Sequence, residues 1–166
     1  MNRRSLRRLT FLPLLAAATL STRATAQTLD VGDKAPAAAL ETLDGRQVNL
    51  ADYVGRVPLL IEFWATWCPN CKELEPALHA AHRKYQGQVR FLGVAVSVNQ
   101  SPQRVRQYVE KYHLPFEVLF DRRGNATAAY DVPATSYVVV VDRSGTVVYT
   151  GSGGDQDLDA AIRKAL

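Results

Sequence analysis

Cysteine is scarce in this chain: among 166 residues there are only Cys68 and Cys71. Two thiols three positions apart close a ring too small to constrain an unfolded chain, because that gain grows with loop length. A disulfide-stapled scaffold is therefore excluded, and chemistry is left as the reason for the pair. Methionine occurs once and histidine three times. His79 and His82 have an i, i+3 spacing but lie two turns or more beyond Cys71, so they cannot join the cysteines at one ion, and they read as surface residues. His113 reads as the C-terminal residue of a helix. No metal site is expected. No apolar run reaches the about 20 residues that span a bilayer, and there is no internal repeat, low-complexity tract or linker.

The N-terminus carries Arg3, Arg4, Arg7, Arg8 and Arg23, no acid, an apolar stretch from Leu9 to Leu20, and Ala24-Thr25-Ala26. This is the pattern of a secretory signal peptide at residues 1–26, cleaved after Ala26, with an uncleaved anchor as the lesser alternative. Arg3-Arg4 faintly resembles a twin-arginine signal, and the general secretory route fits better. The leader holds no cysteine for a lipid. Its loss would remove five of twenty basic residues and leave fifteen against sixteen acids. A nearly neutral chain gives no case for nucleic-acid binding. Residues 27–166 are expected to form one exported, periplasmic domain.

What is present is organised around residues 63–72. Val57 to Trp64 is an apolar run of strand length, as in a strand covered on both faces. Leu74, Ala77, Leu78, Ala81 and Tyr85 recur at helical spacing, predicting a helix from about Pro69 to Gln86 that Gly87 ends. Cys68 then lies at the helix N-terminus, where free N–H groups and the helix dipole stabilise a thiolate. Cys71 lies one turn further in. Cys68 can attack a disulfide and Cys71 can resolve the mixed disulfide, so the pair cycles between dithiol and disulfide.

Trp64-Ala65-Thr66-Trp67-Cys68-Pro69-Asn70-Cys71-Lys72 resembles the active-site segment of the thioredoxin superfamily, and most closely its secreted TlpA, ResA and CcmG group. The similarity runs from about Ala35 to the C-terminus. It implies an α/β thioredoxin-like fold, with a mixed central sheet flanked by helices and an N-terminal β-hairpin. Ala37 to Thr42 and Arg46 to Leu50 around Asp44-Gly45 fit that hairpin.

Glu62 stands alone among apolar strand residues, where a carboxylate is costly. It matches the buried aspartate of thioredoxins, which implies a general base for Cys71; the plainer reading is a strand-edge residue that reaches solvent or pairs with Lys72. Many TlpA and ResA proteins have a glutamate three residues after the second cysteine. Here that position is Leu74, between Glu73 and Glu75, and Glu62 is expected to take over the role.

Val89 to Val98, Phe116 to Phe120, Tyr137 to Val141 and Thr146 to Thr150 read as strands, Gln103 to His113 and Asn125 to Tyr130 as helices. A last helix spans Asp155 to Leu166, capped by Asp155. Val132-Pro133, just before an apolar strand, resembles the family's cis-proline loop, which receives an extended substrate by strand addition. With Trp67, Pro69 and Asn70 it makes up the expected substrate-binding set.

The resemblance implies an enzyme, a reductase of protein disulfides such as those of apocytochrome c or copper-site cysteines. It needs no cofactor beyond the Cys68–Cys71 couple, draws electrons from a membrane thiol transporter of the DsbD or CcdA kind, and acts as a monomer. Pro69-Asn70 lacks the histidine of the oxidising DsbA type. A DsbA-like oxidant or isomerase, a periplasmic metallochaperone using the two cysteines, and a peroxiredoxin-like peroxidase are the alternatives; the last expects an isolated cysteine in a different setting.

Overall fold

The computed structural model describes residues 28–166, so the signal-peptide expectation lies outside the described residues. Seven strands form one mixed sheet in the order β2-β1-β5-β4-β3-β6-β7. They are β1 (Ala39–Thr42), β2 (Gln47–Asn49), β3 (Leu59–Trp64), β4 (Arg90–Val96), β5 (Glu117–Asp121), β6 (Tyr137–Val141) and β7 (Val147–Ser152). The helices are α1 (Pro69–Tyr85), α2 (Pro102–Tyr112), α3 (Asn125–Ala129) and α4 (Leu158–Arg163).

β3 is central. It runs parallel to β4 and antiparallel to β6, and all six of its residues are buried. Burial on both faces explains why its sequence is a continuous apolar run rather than an alternating one. Leu59, Ile61 and Phe63 meet Val94, Val139 and Tyr130 on one face. Leu60 meets Val138, Leu74, Leu78 and Ile162 on the other, under α1 and α4. Each such side chain contributes about 1.5–3 kcal/mol by leaving water. Glu62 and Trp64 share that second face with Leu60, since strand side chains alternate.

The hairpin expected near the N-terminus is β1–β2, turning at Gly45 with φ 92°, a value glycine adopts without strain. It is built into the sheet through β1 against β5. α1 holds Pro76 inside it and ends at Tyr85, with Gly87 in the left-handed region as expected. The last helix departs from expectation: its N-cap is Asp157, not Asp155, and accepts from the Ala160 N–H at 2.9 Å. Gln156 donates to the Gly153 carbonyl and accepts from the Tyr149 hydroxyl, which keeps residues 153–156 in a turn and delays the helix by two residues. His82 also departs from a free surface position. Its ring packs edge-on to Phe91 at 5.2 Å and near Phe116, and this burial lowers its pKa.

Candidate active site

β3 ends at Trp64, and Ala65 to Trp67 make the turn into α1. The Cys68 N–H donates to the Ala65 carbonyl at 3.1 Å and fixes that turn. Cys68 is the N-cap of α1, with Pro69 in the first turn where its missing N–H costs nothing. Its Sγ accepts the Cys71 N–H at 3.2 Å. The two sulfurs form a disulfide, with the Cα atoms 5.3 Å apart. Both residues are buried, Cys68 exposing 2% and Cys71 6% of its surface, so access alone does not distinguish them. Their surroundings do.

On the open side, Trp67 is 40% exposed and its indole N–H donates to the Val98 carbonyl at 2.8 Å. Pro69 and Asn70 are exposed beside it. Gln100 accepts from the Thr66 N–H and donates to the Val96 carbonyl, pinning the loop after β4 to the cysteine turn. Trp67, Val98, Thr127, Asp131, Val132 and Thr135 wall a groove of about 520 Å³, chiefly apolar. Val132 lies in the groove wall, whereas Pro133 is exposed and outside it.

The expected cis bond at Val132-Pro133 is corrected: the cis peptide bond among the described residues joins Thr135 and Ser136. Register explains the offset. Tyr137 opens β6 opposite Phe63, so the bond that enters the strand beside the cysteine turn is three positions beyond the proline.

On the closed side, Cys71 faces inward. Glu62, Trp64, Cys71, Glu75 and Tyr108 line a cavity of about 10 Å³, close to the space of one water molecule. Glu62 is 5% exposed, and its Oε1 accepts from the Ser136 hydroxyl at 3.0 Å. No lysine reaches it among the described residues, so the strand-edge reading and the Lys72 pairing do not apply. Burial pushes its pKa up from 4.5 to about 8; the Ser136 hydrogen bond works against this and the Glu75 charge adds to it. Glu75 accepts from the Tyr108 hydroxyl at 3.0 Å, and burial and this bond raise the Tyr108 pKa. Among the described residues no three His, Cys, Asp or Glu side chains are arranged to hold a metal ion.

Three of these residues had no role in the sequence reading. Glu75 follows Cys71 by four, which puts both on one helix face, a readable signal. Tyr108 stands at an apolar-face position of α2 with Val105, and only its hydroxyl reaches the site. Ser136 carried no signal.

The chemistry available is thiol–disulfide exchange. A thiolate at Cys68 is stabilised by the helix N-terminus and the Cys71 N–H. A thiolate at Cys71 is disfavoured by burial beside carboxylates, one of which can take its proton.

Comparison with known proteins agrees with this geometry. The sequence model of the AhpC/TSA family matches residues 31–150. The chain is 32% identical over 134 residues to the thioredoxin-like protein YneN of Bacillus subtilis, covering 79% of this chain and 78% of the relative. It is 32% identical over 131 residues to the thiol-disulfide oxidoreductase ResA of Geobacillus thermodenitrificans, covering 77% and 74%. A Chlorobium tepidum structure named for a thiol:disulfide interchange protein DsbE superposes with a TM-score of 0.73 at 27% identity, over 83% of this chain and 99% of that one. The chain belongs to the thioredoxin-like AhpC/TSA family and, within it, to the thiol-disulfide oxidoreductases of the TlpA/ResA/CcmG-like group.

Proposed function

We propose that this protein is an exported reductase of protein disulfides, with Cys68 as nucleophile, Cys71 as resolving thiol and Glu62 as proton acceptor. The observation that carries the reading is the buried Glu62 carboxylate sharing a closed cavity with Cys71. In the dithiol form the Cys68 thiolate attacks one sulfur of a substrate disulfide. A mixed disulfide forms and one substrate thiolate leaves. Glu62, ionised, takes the Cys71 proton, and the Cys71 sulfur attacks Cys68 Sγ. The second substrate thiolate departs and is protonated. Two electrons have moved to the substrate, and Cys68–Cys71 is the disulfide seen here. A carboxyl that titrates near 8 is matched to a thiol of ordinary pKa about 8.5, which suits proton transfer between them.

Trp67, Pro69, Asn70 and Val132 border the path an extended substrate segment would take to Cys68, and Pro133 flanks it. The substrates fitting this reading are cysteine pairs of exported proteins, such as apocytochrome c or copper-site cysteines. Electrons would come from a membrane thiol transporter of the DsbD or CcdA kind, and no cofactor beyond the cysteine couple is needed. Residues 1–26 would act as the export signal, leaving a monomeric domain in the periplasm. No helix among the described residues is long and apolar enough to cross a membrane.

The reduction potential tests the direction of flow. A dedicated reductase equilibrates with dithiothreitol at a value near or below thioredoxin's, about −270 mV. A value near that of DsbA, about −120 mV, would make the protein an oxidant.

A further inference from the structure

We infer that Ser136 is a positioning residue for Glu62: its hydroxyl holds one carboxylate oxygen so that the group presents its other oxygen to Cys71. This rests on the reading of Glu62 as the proton acceptor in resolution, and deepens it.

The sheet sets up the contact. Glu62 pairs with Gly93 on β4 and with Val138 on β6. Gly93 has no side chain, and a Cβ there would lie 2.9 Å from Trp64 Nε1. Val138 is apolar and cannot hydrogen-bond. The diagonal positions of this antiparallel pair lie two residues either side of Val138; Val140 is apolar, and the other is Ser136. Its Oγ lies 3.0 Å from Glu62 Oε1, with Ser136 fully buried. Among the described residues this is the only hydrogen bond to the Glu62 side chain. Oε2 is left without a protein partner, in a residue that lines the Cys71 cavity.

Ser136 is itself fixed. Its carbonyl accepts from the Gly153 N–H at 2.9 Å, tying it to the end of β7, and its N-terminal neighbour Thr135 lines the substrate groove. One residue boundary thus separates the groove wall from the support of the proton acceptor.

The groups facing Glu62 define what the hydroxyl does. α1 contributes the Cys71 thiol and Glu75, α2 contributes Tyr108 bonded to Glu75, and β3 contributes the Trp64 indole. β4 and the segment before β5 contribute no charge: Gly93 and Phe116 face the site, and His82, which packs near Phe116, does not line the cavity. No cation lines this cavity. Ser136 is therefore the neutral donor that favours the ionised carboxylate, and removing it favours the protonated form.

The test uses the reduced protein and Ellman's reagent, whose aromatic thiolate is released twice: once when Cys68 attacks the reagent, and once when Cys71 resolves the mixed disulfide. Ser136→Ala is expected to leave the first release unchanged, to slow the second several-fold at pH 7, and to move its pH midpoint upward by about one unit, the scale of losing a hydrogen bond to a charge. Ser136→Thr keeps a hydroxyl and restores the wild-type profile. A carboxyl titration of Glu62 by carbon-13 NMR in the oxidised protein, where neither cysteine titrates, moves the same way and reads the effect without turnover. Where Ser136→Ala does not fold, Ser136→Gly serves in both measurements. A second release and a Glu62 titration identical to wild type in the hydroxyl-free variant overturn the role of Ser136. If Glu62→Gln itself leaves the pH profile of the second release unchanged, the proton-acceptor reading fails, and this inference with it; a profile lost in Glu62→Gln but intact in Ser136→Ala removes the inference alone.

Discussion

The two sides of the Cys68–Cys71 disulfide are built from opposite materials. On one side Trp67, Val98, Val132 and Thr135 wall an open apolar groove of about 520 Å³. On the other, Glu62, Glu75 and Tyr108 enclose about 10 Å³ next to Cys71. Both cysteines are almost equally buried, yet one stands where an anion is stabilised by helix N–H groups and the other where an anion is opposed by carboxylates. Under the proposed exchange reaction, nucleophile and resolver would then be assigned by electrostatics and not by exposure.

The sharpest way to break this asymmetry is to delete one sulfur at a time. Cys68→Ser is expected to abolish exchange with protein disulfides, a loss of at least about 10³-fold. Cys71→Ser keeps the first attack and accumulates a mixed disulfide through Cys68, seen as a covalent adduct on a non-reducing gel. An adduct through Cys71 in the Cys68→Ser protein would reverse the assignment.

The closed side also makes a stability prediction. Glu62 has a pKa of about 8 in the fold against 4.5 as its ordinary value, so the folded state binds the proton more tightly than the unfolded chain. Stability from this group is therefore fully retained below about pH 4.5, falls as pH rises, and reaches its full loss above about pH 8. The loss is on the order of 5 kcal/mol, taking about 1.4 kcal/mol for each pH unit between the two values. Denaturant melts of the oxidised protein across that range are expected to show the decline in wild type and a flatter curve in Glu62→Gln. Equal slopes would mean that Glu62 does not titrate there.

The open side predicts the smallest effect. Trp67→Ala removes the exposed indole and its bond to the Val98 carbonyl, so KM for a disulfide-bearing peptide is expected to rise about five- to tenfold, with the thiol ionisations unmoved. A change in ionisation and not in KM would place Trp67 on the electrostatic side of the comparison.

Much of this was legible in the residues. The buried strand before the cysteines, the helix that starts at them and the early hairpin all follow from periodicity and from Pro and Gly placement, because those signals are local. Glu62 was legible as an anomaly, a carboxylate in an apolar run, and its burial follows from β3 lying inside the sheet, between β4 and β6. Ser136 was not, because its meaning depends on β6 pairing with β3 in one register, a contact 74 positions away in the chain. The cis bond likewise lies at Thr135-Ser136, where the chain enters β6, and not at the proline. Tyr108 was not legible either, because its hydroxyl meets Glu75 across two helices 33 positions apart, and Asp157 was hidden by a turn that Gln156 and Tyr149 make through side chains.

The ionisation of the two thiols in the reduced protein tests the central asymmetry most directly. It is read as thiolate absorbance near 240 nm against pH, with Cys68→Ser and Cys71→Ser to assign the steps. The expected result is a first ionisation below the ordinary thiol value of about 8.5 that vanishes in Cys68→Ser, and a second above it that vanishes in Cys71→Ser. A first ionisation that survives in Cys68→Ser and belongs to Cys71 would contradict it.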